Sequence, residues 1–96
     1  MSEPSVSVST LTPILKEGVF YQMVEFRATQ AIDTKTAEKI GKVGEGLFKS
    51  ALVMNGLTDF AWPPDFMDID ADPDMKGGRL RFSTRVGAGK QVVLQS

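Results

Sequence analysis

The chain contains no cysteine and no histidine. The first absence excludes disulfides, thiolate metal sites and a cysteine nucleophile. The second removes the commonest general base and the commonest zinc ligand. A serine or threonine nucleophile would then need a lysine as its base, and no pattern places a lysine beside a particular serine. We therefore expect no enzymatic activity, no bound metal and no cofactor.

Strong net charge and long apolar segments are also missing. The formal net charge is −1, whereas proteins that coat nucleic acid are normally strongly basic. Neither a basic segment followed by an apolar run nor a stretch of about 18 apolar residues occurs. We expect a soluble, cytoplasmic protein without signal peptide or transmembrane segment. Its 96 residues, 42% of them hydrophobic, predict one domain.

The charges that are present are segregated along the chain. Residues 57–75 contain six aspartates and no basic residue, and residues 76–96 contain five basic residues and no acidic one. Between residues 66 and 86 both arms alternate polar and apolar residues, as half-buried strands do. A hairpin that turns at residues 73–78 would match charges on one face and apolar groups on the other. Its predicted pairs are Asp72 with Arg79, Asp70 with Arg81, Asp68 with Ser83, Ile69 with Phe82, and Met67 with Thr84.

The first third of the chain predicts a pair of strands over residues 5–32, after a flexible leader at 1–5. Serine alternates with Val6 and Val8, which indicates an edge strand that Pro13 interrupts, or an arm that orders on a partner. Lys16, Glu17 and Gly18 predict a tight turn. Residues 19–32 have the strongest strand pattern. One face of that strand, which we expect to pack on a helix, holds Phe20, Val24, Phe26 and Ala28, with Gln22 among them.

A helix is predicted next, within residues 33–56. Asp33 is a suitable N-cap, and Asn55 with Gly56 is a suitable C-terminal stop. The expected apolar stripe consists of Ile40, Val43, Leu47, Ala51 and Met54. Three glycines interrupt this segment at 41, 44 and 46, and each costs about 0.5–1 kcal/mol relative to alanine. Close approach to the sheet would explain them, and so would a bend or two shorter helices.

Residues 57–65 form a loop rich in proline that carries Trp62, the only tryptophan. Trp62 either closes one end of the core or forms an exposed docking patch with Phe60 and Phe66. Residues 66–96 complete the domain with the charged hairpin and a last strand at 91–95. The predicted fold is therefore α+β: a mainly antiparallel five-stranded sheet, in the order β-β-α-β-β-β, with one helix packed on one face.

Three motifs were tested as sites. The alternating aspartates at 68–72 resemble the start of a calcium loop, but Pro73 replaces the required glycine and Arg79 the required glutamate. The segment Gly87-Ala88-Gly89-Lys90 lacks the spacing of a phosphate loop. Neighbouring carboxylates could in principle hydrolyse a glycoside, but a chain of this size offers little room for a catalytic pocket. We expect no metal site and no catalytic site.

The favoured function is a non-catalytic protein-binding or assembly module, as a homo-oligomer or a subunit of a larger complex. Its size suits a small viral or phage-type structural protein or inhibitor. The expected partner-binding residues are three aromatic anchors and five charged contacts: Phe60, Trp62, Phe66, Asp68, Asp70, Arg79, Arg81 and Arg85. The alternative is binding of single-stranded nucleic acid by the basic hairpin at 79–90. Mimicry of nucleic acid by the aspartates is a further hypothesis. No membrane partner is expected.

Overall fold

The computed structural model of the protein describes residues 5–71 and 73–87, with the backbone alone at 66–69 and 71. The elements in chain order are β1 (Val6–Thr10), β2 (Ile14–Lys16), β3 (Val19–Ala28), α1 (Thr34–Met54), β4 (Asp65–Ala71) and β5 (Gly77–Arg85). Over these residues the α+β class is confirmed, because α1 packs on one face of an antiparallel sheet.

The described sheet has four strand positions, in the order β1-β3-β5-β4. Both β1 and β2 pair with β3, and β5 occupies the opposite side of β3, so β2 continues the β1 position after a break. The break contains Pro13, which cannot donate to a ladder, and the predicted interruption is confirmed. The predicted fifth strand at 91–95 lies outside the described residues, so five strands are not confirmed.

The central strand β3 has the predicted alternation. Phe20, Val24 and Phe26 are buried on the face that meets the helix, and Gln22 is buried beside them. The strand ends at Ala28, four residues earlier than predicted. The turn before it is also confirmed, since Glu17 and Gly18 both have positive φ, 52° and 75°.

Both predicted ends of the helix are confirmed. Asp33 adopts an extended conformation and accepts a hydrogen bond from the Thr36 N–H at 2.8 Å, which satisfies one of the unpaired donors of the first turn. At the other end Asn55 is the C-cap, and Gly56 follows with φ of 77°. Over the described ranges, no helix combines the length and the apolarity that crossing a membrane would need.

The buried side of the helix differs from the predicted stripe. The residues that reach the core are Ile40, Gly44, Phe48 and Leu52, at a uniform spacing of four. Two members of the predicted stripe were wrong, because Val43 is 50% exposed and Met54 is 85% exposed. Ile40 belongs to both stripes, and Leu47 and Ala51 of the predicted stripe are partly buried against the core. The helix is therefore rotated about its axis so that Phe48 lies at the centre of its buried side and Leu47 at the margin.

Gly44 explains why the helix takes this orientation. A Cβ atom built on Gly44 would lie 2.9 Å from two ring atoms of Phe82, which is closer than real Cβ contacts. A Cβ on Gly41 or Gly46 would meet nothing within 4 Å. Close approach to the sheet therefore accounts for one of the three glycines. The helix is continuous through all of them, so the predicted single helix is confirmed and the alternative of two shorter helices is wrong.

An aromatic cluster on Phe48 forms the centre of the core. Its ring centroid lies 5.6 Å from that of Phe20 and 5.7 Å from that of Phe82, so one helix residue contacts the two central strands. These separations are within the range in which aromatic pairs attract each other beyond their burial. All three rings are nearly inaccessible to solvent. Leu52 and Leu80 extend the same core.

The charged hairpin exists, but its register was predicted wrongly. Asp70 lies opposite Arg79, Asp68 opposite Arg81, and Ile69 opposite Leu80, a shift of two residues from the predicted pairs. A shift of two preserves the face on which each residue lies, because side chains alternate with a period of two. Beyond a bulge between Phe66 and Asp68, the next pair is Phe66 with Phe82.

The glycines of the helix give a matched test of the close approach. We expect Gly46→Ala to stabilise the protein by about 0.5–1 kcal/mol, because alanine is the better helix former and the site is open. Gly44→Ala should be less stable than Gly46→Ala by about 1–3 kcal/mol, the usual cost of overpacking a core. Urea unfolding followed by circular dichroism measures both. Equal midpoints for the two variants would contradict the contact with Phe82.

The cap predicts a pH dependence. The hydrogen bond from the Thr36 N–H lowers the pKa of Asp33, so its contribution to stability is present above the unfolded-state pKa and disappears as pH falls through the lower folded-state pKa. Asp33→Ala should therefore be less stable than the parent at neutral pH, and the gap should narrow at acidic pH, where the protonated carboxyl is a weaker acceptor. Asp33→Asn keeps a capping oxygen that does not titrate, and it should stay close to the parent at neutral pH. Urea midpoints at both pH values decide this; a gap of the same size in acid as at neutral pH would show that the charge of the carboxylate does not contribute.

Candidate functional site

One face of the sheet carries no helix from the residues that the structure describes. Side chains alternate along each strand, so the residues between the buried ones on β3 and β5 point away from α1. No helix or strand within residues 5–71 and 73–87 packs over this surface. We call it the open face, and it consists of Tyr21, Met23, Glu25, Arg27, Asp70, Arg79, Arg81, Ser83 and Arg85.

Charges on the open face are matched across neighbouring strands. The register places Glu25, Arg79 and Asp70 side by side on β3, β5 and β4. The Arg79 Nε lies 2.9 Å from the Glu25 Oε1, and the two side chains are 55% and 32% exposed. An ion pair this accessible contributes about 0–1 kcal/mol, so its main effect is on strand register. This row of the open face therefore holds one base between two acids, for a net charge of −1.

The opposite end of the open face contains an apolar groove beside an arginine. Its volume is about 680 Å³, which is in the range of pockets that hold ligands or partner side chains. We call it the Tyr21 groove, and its walls include Leu11, Thr12, Ile14, Tyr21, Met23 and Arg81. Leu11, Ile14 and Tyr21 are 37%, 46% and 37% exposed. Large apolar side chains are thus presented together to solvent on a face that no described element covers.

The break in the edge strand creates this groove. Residues 11–13 lie outside β1 and β2, and although the Leu11 N–H still donates to the Met23 carbonyl, Leu11 and Thr12 form a wall instead of continuing the strand. The Gln22 Nε2 donates to the Leu11 carbonyl at 3.1 Å and so satisfies a group near the break. The Gln22 Oε1 is buried and accepts no hydrogen bond from the described residues. A buried glutamine on the core face is thus explained by the interrupted strand beside it.

A second cavity of about 420 Å³ lies at the hairpin end of the sheet. Its charged lining residues are Glu25, Arg27, Asp70 and Arg79, so acids and bases are present in equal number. In the part of the chain that the structure describes, no three acidic side chains come together in a way that could hold a metal ion. Because these charges balance, we interpret them as stabilising the pairing of neighbouring strands and not as a binding site for a charged ligand.

The structure separates the predicted site residues into two groups. Asp70, Arg79, Arg81 and Arg85 share the open face, and the backbone of Asp68 lies opposite Arg81. The aromatic anchors lie elsewhere: Phe60 forms a bridge with Val86, and Trp62 contacts the helix. The side chains of Phe66 and Asp68 are outside the described residues. The predicted aromatic and charged contacts therefore do not form one surface.

Trp62 covers the end of the core rather than projecting from it. Its ring stacks on Phe48 at 6.5 Å and meets Phe60 edge-on at 6.0 Å. The Lys49 Nζ lies 5.3 Å from the ring centroid, which is within reach of a cation–π attraction. The side chain remains 39% exposed. Trp62 thus has features of both sequence interpretations, since it packs on the core and also contributes to the surface.

Sequence reasoning identified the open face only in part. Alternation along residues 19–32 puts Tyr21 and Met23 on the side opposite the one expected to pack on a helix, and both line the Tyr21 groove. Leu11 and Ile14 were missed as site residues. Pro13 between them was the available signal, because a strand that breaks at a proline leaves its neighbouring side chains free to form a wall.

The comparisons with known proteins identify no relative. No protein-family model matches the chain, and neither does any curated protein or any solved structure. Function is therefore inferred from the surfaces of the chain itself.

The position of Trp62 leads to a stability prediction. Trp62→Ala should leave the protein folded but less stable by about 1–3 kcal/mol, below the 3–5 kcal/mol typical of fully buried aromatic residues, because the indole is partly exposed. Trp62→Phe should recover most of the loss by covering Phe48 again. Urea unfolding followed by circular dichroism provides the measurement. An unchanged midpoint in Trp62→Ala would show that the ring does not support the core, and an unfolded variant would show that it is essential to it.

Proposed function

We propose that this protein is a non-catalytic binding module that takes a segment of another protein in the Tyr21 groove. The observation that carries this proposal is the position of the groove. It brings Leu11, Ile14 and Tyr21 together in the open, next to Arg81, on a sheet face that no described element covers. Monomeric soluble proteins seldom expose large apolar side chains in clusters without a partner.

The residue types of the groove favour a protein partner. Tyrosine and arginine are among the residues that contribute most to binding at protein interfaces, because each combines contact area with a directional polar group. Tyr21 supplies a flat apolar surface, and Met23 supplies a side chain that adapts to the shape of its neighbour. The groove therefore suits one or two apolar side chains of an incoming segment.

The charge beside the groove specifies the partner further. Arg81 is exposed, and within the described side chains it forms no ion pair, in contrast to Arg79 on the same strand. A guanidinium binds a carboxylate through two parallel hydrogen bonds, so an acidic residue in the partner would fit this position. We infer a partner segment in which an aspartate or glutamate is next to large apolar residues.

Single-stranded nucleic acid is the second candidate. Tyr21 lies on the same face as Arg81 and Arg85, so a base could stack on an aromatic ring beside two cations. The same face also holds Glu25 and Asp70, whose negative charges would repel a phosphate backbone. The apolar walls of the groove likewise favour a peptide, and the two candidates make different predictions about salt.

Selection from a random peptide library tests the proposal. Peptides enriched on the immobilised protein should share apolar residues next to an acidic one. Fluorescence anisotropy with the enriched peptides should show at least tenfold weaker binding, about 1.4 kcal/mol, for Tyr21→Thr and for Arg81→Gln. Arg85→Gln is the matched control, because it removes the same charge from the same strand and face but outside the groove, and it should bind within about twofold of the parent.

Other results would overturn the peptide site. The proposal fails if the selected peptides share no sequence pattern. It also fails if Tyr21→Thr, Arg81→Gln and Arg85→Gln all bind the peptides equally well. A labelled single-stranded oligonucleotide belongs in the same assay. If it binds at low salt and Arg81→Gln and Arg85→Gln weaken it equally, with a smaller salt dependence in both, then the nucleic-acid candidate replaces the peptide one.

A further inference from the structure

The two edges of the described sheet differ in their protection against pairing with another chain. The edge strand β4 carries Asp65, Asp68 and Asp70 and contains a bulge, and both features discourage the addition of a strand. The other edge strand, β1, has the sequence Val-Ser-Val-Ser-Thr, with no charge and no proline. Of these two edge strands, β1 is therefore the one without charged residues or a bulge that would discourage another strand from pairing with it.

The backbone groups of β1 that point away from β3 can be assigned from the hydrogen bonds between the two strands. The Ser5 carbonyl accepts from the Thr29 N–H at 3.0 Å, and the Leu11 N–H donates to the Met23 carbonyl at 2.9 Å. In an antiparallel ladder alternate residues bond to the same neighbour, so residues 5, 7, 9 and 11 face β3. Val6, Val8 and Thr10 then direct both their N–H and C=O groups outward. In the described part of the chain β1 pairs with β3 alone.

We propose that β1 pairs antiparallel with β1 of a second copy of this chain, across a two-fold axis at Val8. Val8 of one copy then lies opposite Val8 of the other. Val6 of each copy lies opposite Thr10 of the other. Each of these three pairs exchanges two hydrogen bonds, as outward-facing pairs in an antiparallel ladder do. The result is one continuous sheet with both helices on the same side, because Val8 faces the helix side in each copy.

Self-complementarity identifies the partner as a second copy. The symmetric register sets Ser7 opposite Ser9 and brings no two like charges together. Val6 and Val8 already pack against the core of their own chain. Pairing at β1 therefore places the hydrophobic cores of the two copies side by side across the joined edge. The acidic β4 would meet another β4 with aspartates on both sides, which is unfavourable. The assembly therefore closes as a dimer instead of growing into a fibre. This inference is independent of the Tyr21 groove.

Light scattering after size exclusion tests the dimer over a series of concentrations. The parent should elute at twice the chain mass of 10.5 kDa and dissociate on dilution. Thr10→Pro removes an outward N–H and leaves the bonds to β3 intact, so its dissociation constant should be at least tenfold higher. Thr10→Val keeps the N–H and is the matched control that should still dimerise. A monomeric parent at all concentrations, or a Thr10→Pro variant with unchanged dissociation, would overturn the proposal.

Amide hydrogen exchange of the parent chain gives a second test that needs no variant. The N–H groups of Val8 and Thr10 have no partner on β3, so in a monomer they should exchange within the dead time of the measurement. In the dimer they should be protected, and dilution should remove that protection while the amides of Ser7 and Ser9 stay slow. Rapid exchange at 8 and 10 in a sample of dimeric mass would place the interface elsewhere and would overturn the β1 assignment.

Discussion

The contact of Phe48 and Gly44 with the ring of Phe82 is the packing constraint on which the rest of the structure depends. Phe48 lies between Phe20 and Phe82, so one helix residue joins the two central strands. The ring of Phe82 can reach this position only because residue 44 has no side chain. The glycine thus costs helix propensity and in return permits close packing of the helix on the sheet. This contact determines which side of the helix is buried and leaves Val43 and Met54 exposed.

Helix α1, held in this way, covers one face of the sheet, and no described element covers the other face. The open face combines two regions of different character. At the hairpin end, Arg79 lies between Glu25 and Asp70, and Arg27 supplies a second base, so acids and bases are equal in number. At the opposite end, the break in the edge strand exposes Leu11 and Ile14 around Tyr21. Binding is proposed at the second region because apolar area without a covering element stabilises a complex more than exposed ion pairs do.

The sheet edges set how copies of the chain can meet. Aspartates along β4 and the bulge within it oppose the addition of a strand, whereas β1 offers uncharged residues with free backbone groups. Because one edge accepts a strand and the other opposes it, two copies can pair through β1, whereas growth into a fibre is unfavourable. The groove and the β1 edge are adjacent, since Leu11 follows Thr10 directly. They nevertheless use different groups: side chains form the groove, and backbone amides and carbonyls form the edge.

The sequence by itself determined the elements and their ends. Alternation along β3, the cap at Asp33 and the stop at Gly56 are local signals, because each depends on residues a few positions apart. Tertiary structure decided the orientation of the helix, since Gly44 has no side chain to give an apolar signal and its partner Phe82 is far away in sequence. It also decided the hairpin register, because between the turn and the bulge a shift of two residues keeps each charged and each apolar position on its face. The split of the predicted site has the same cause. Phe60 and Trp62 are drawn to the helix side by the core, while the arginines alternate with buried residues and so point to the open face.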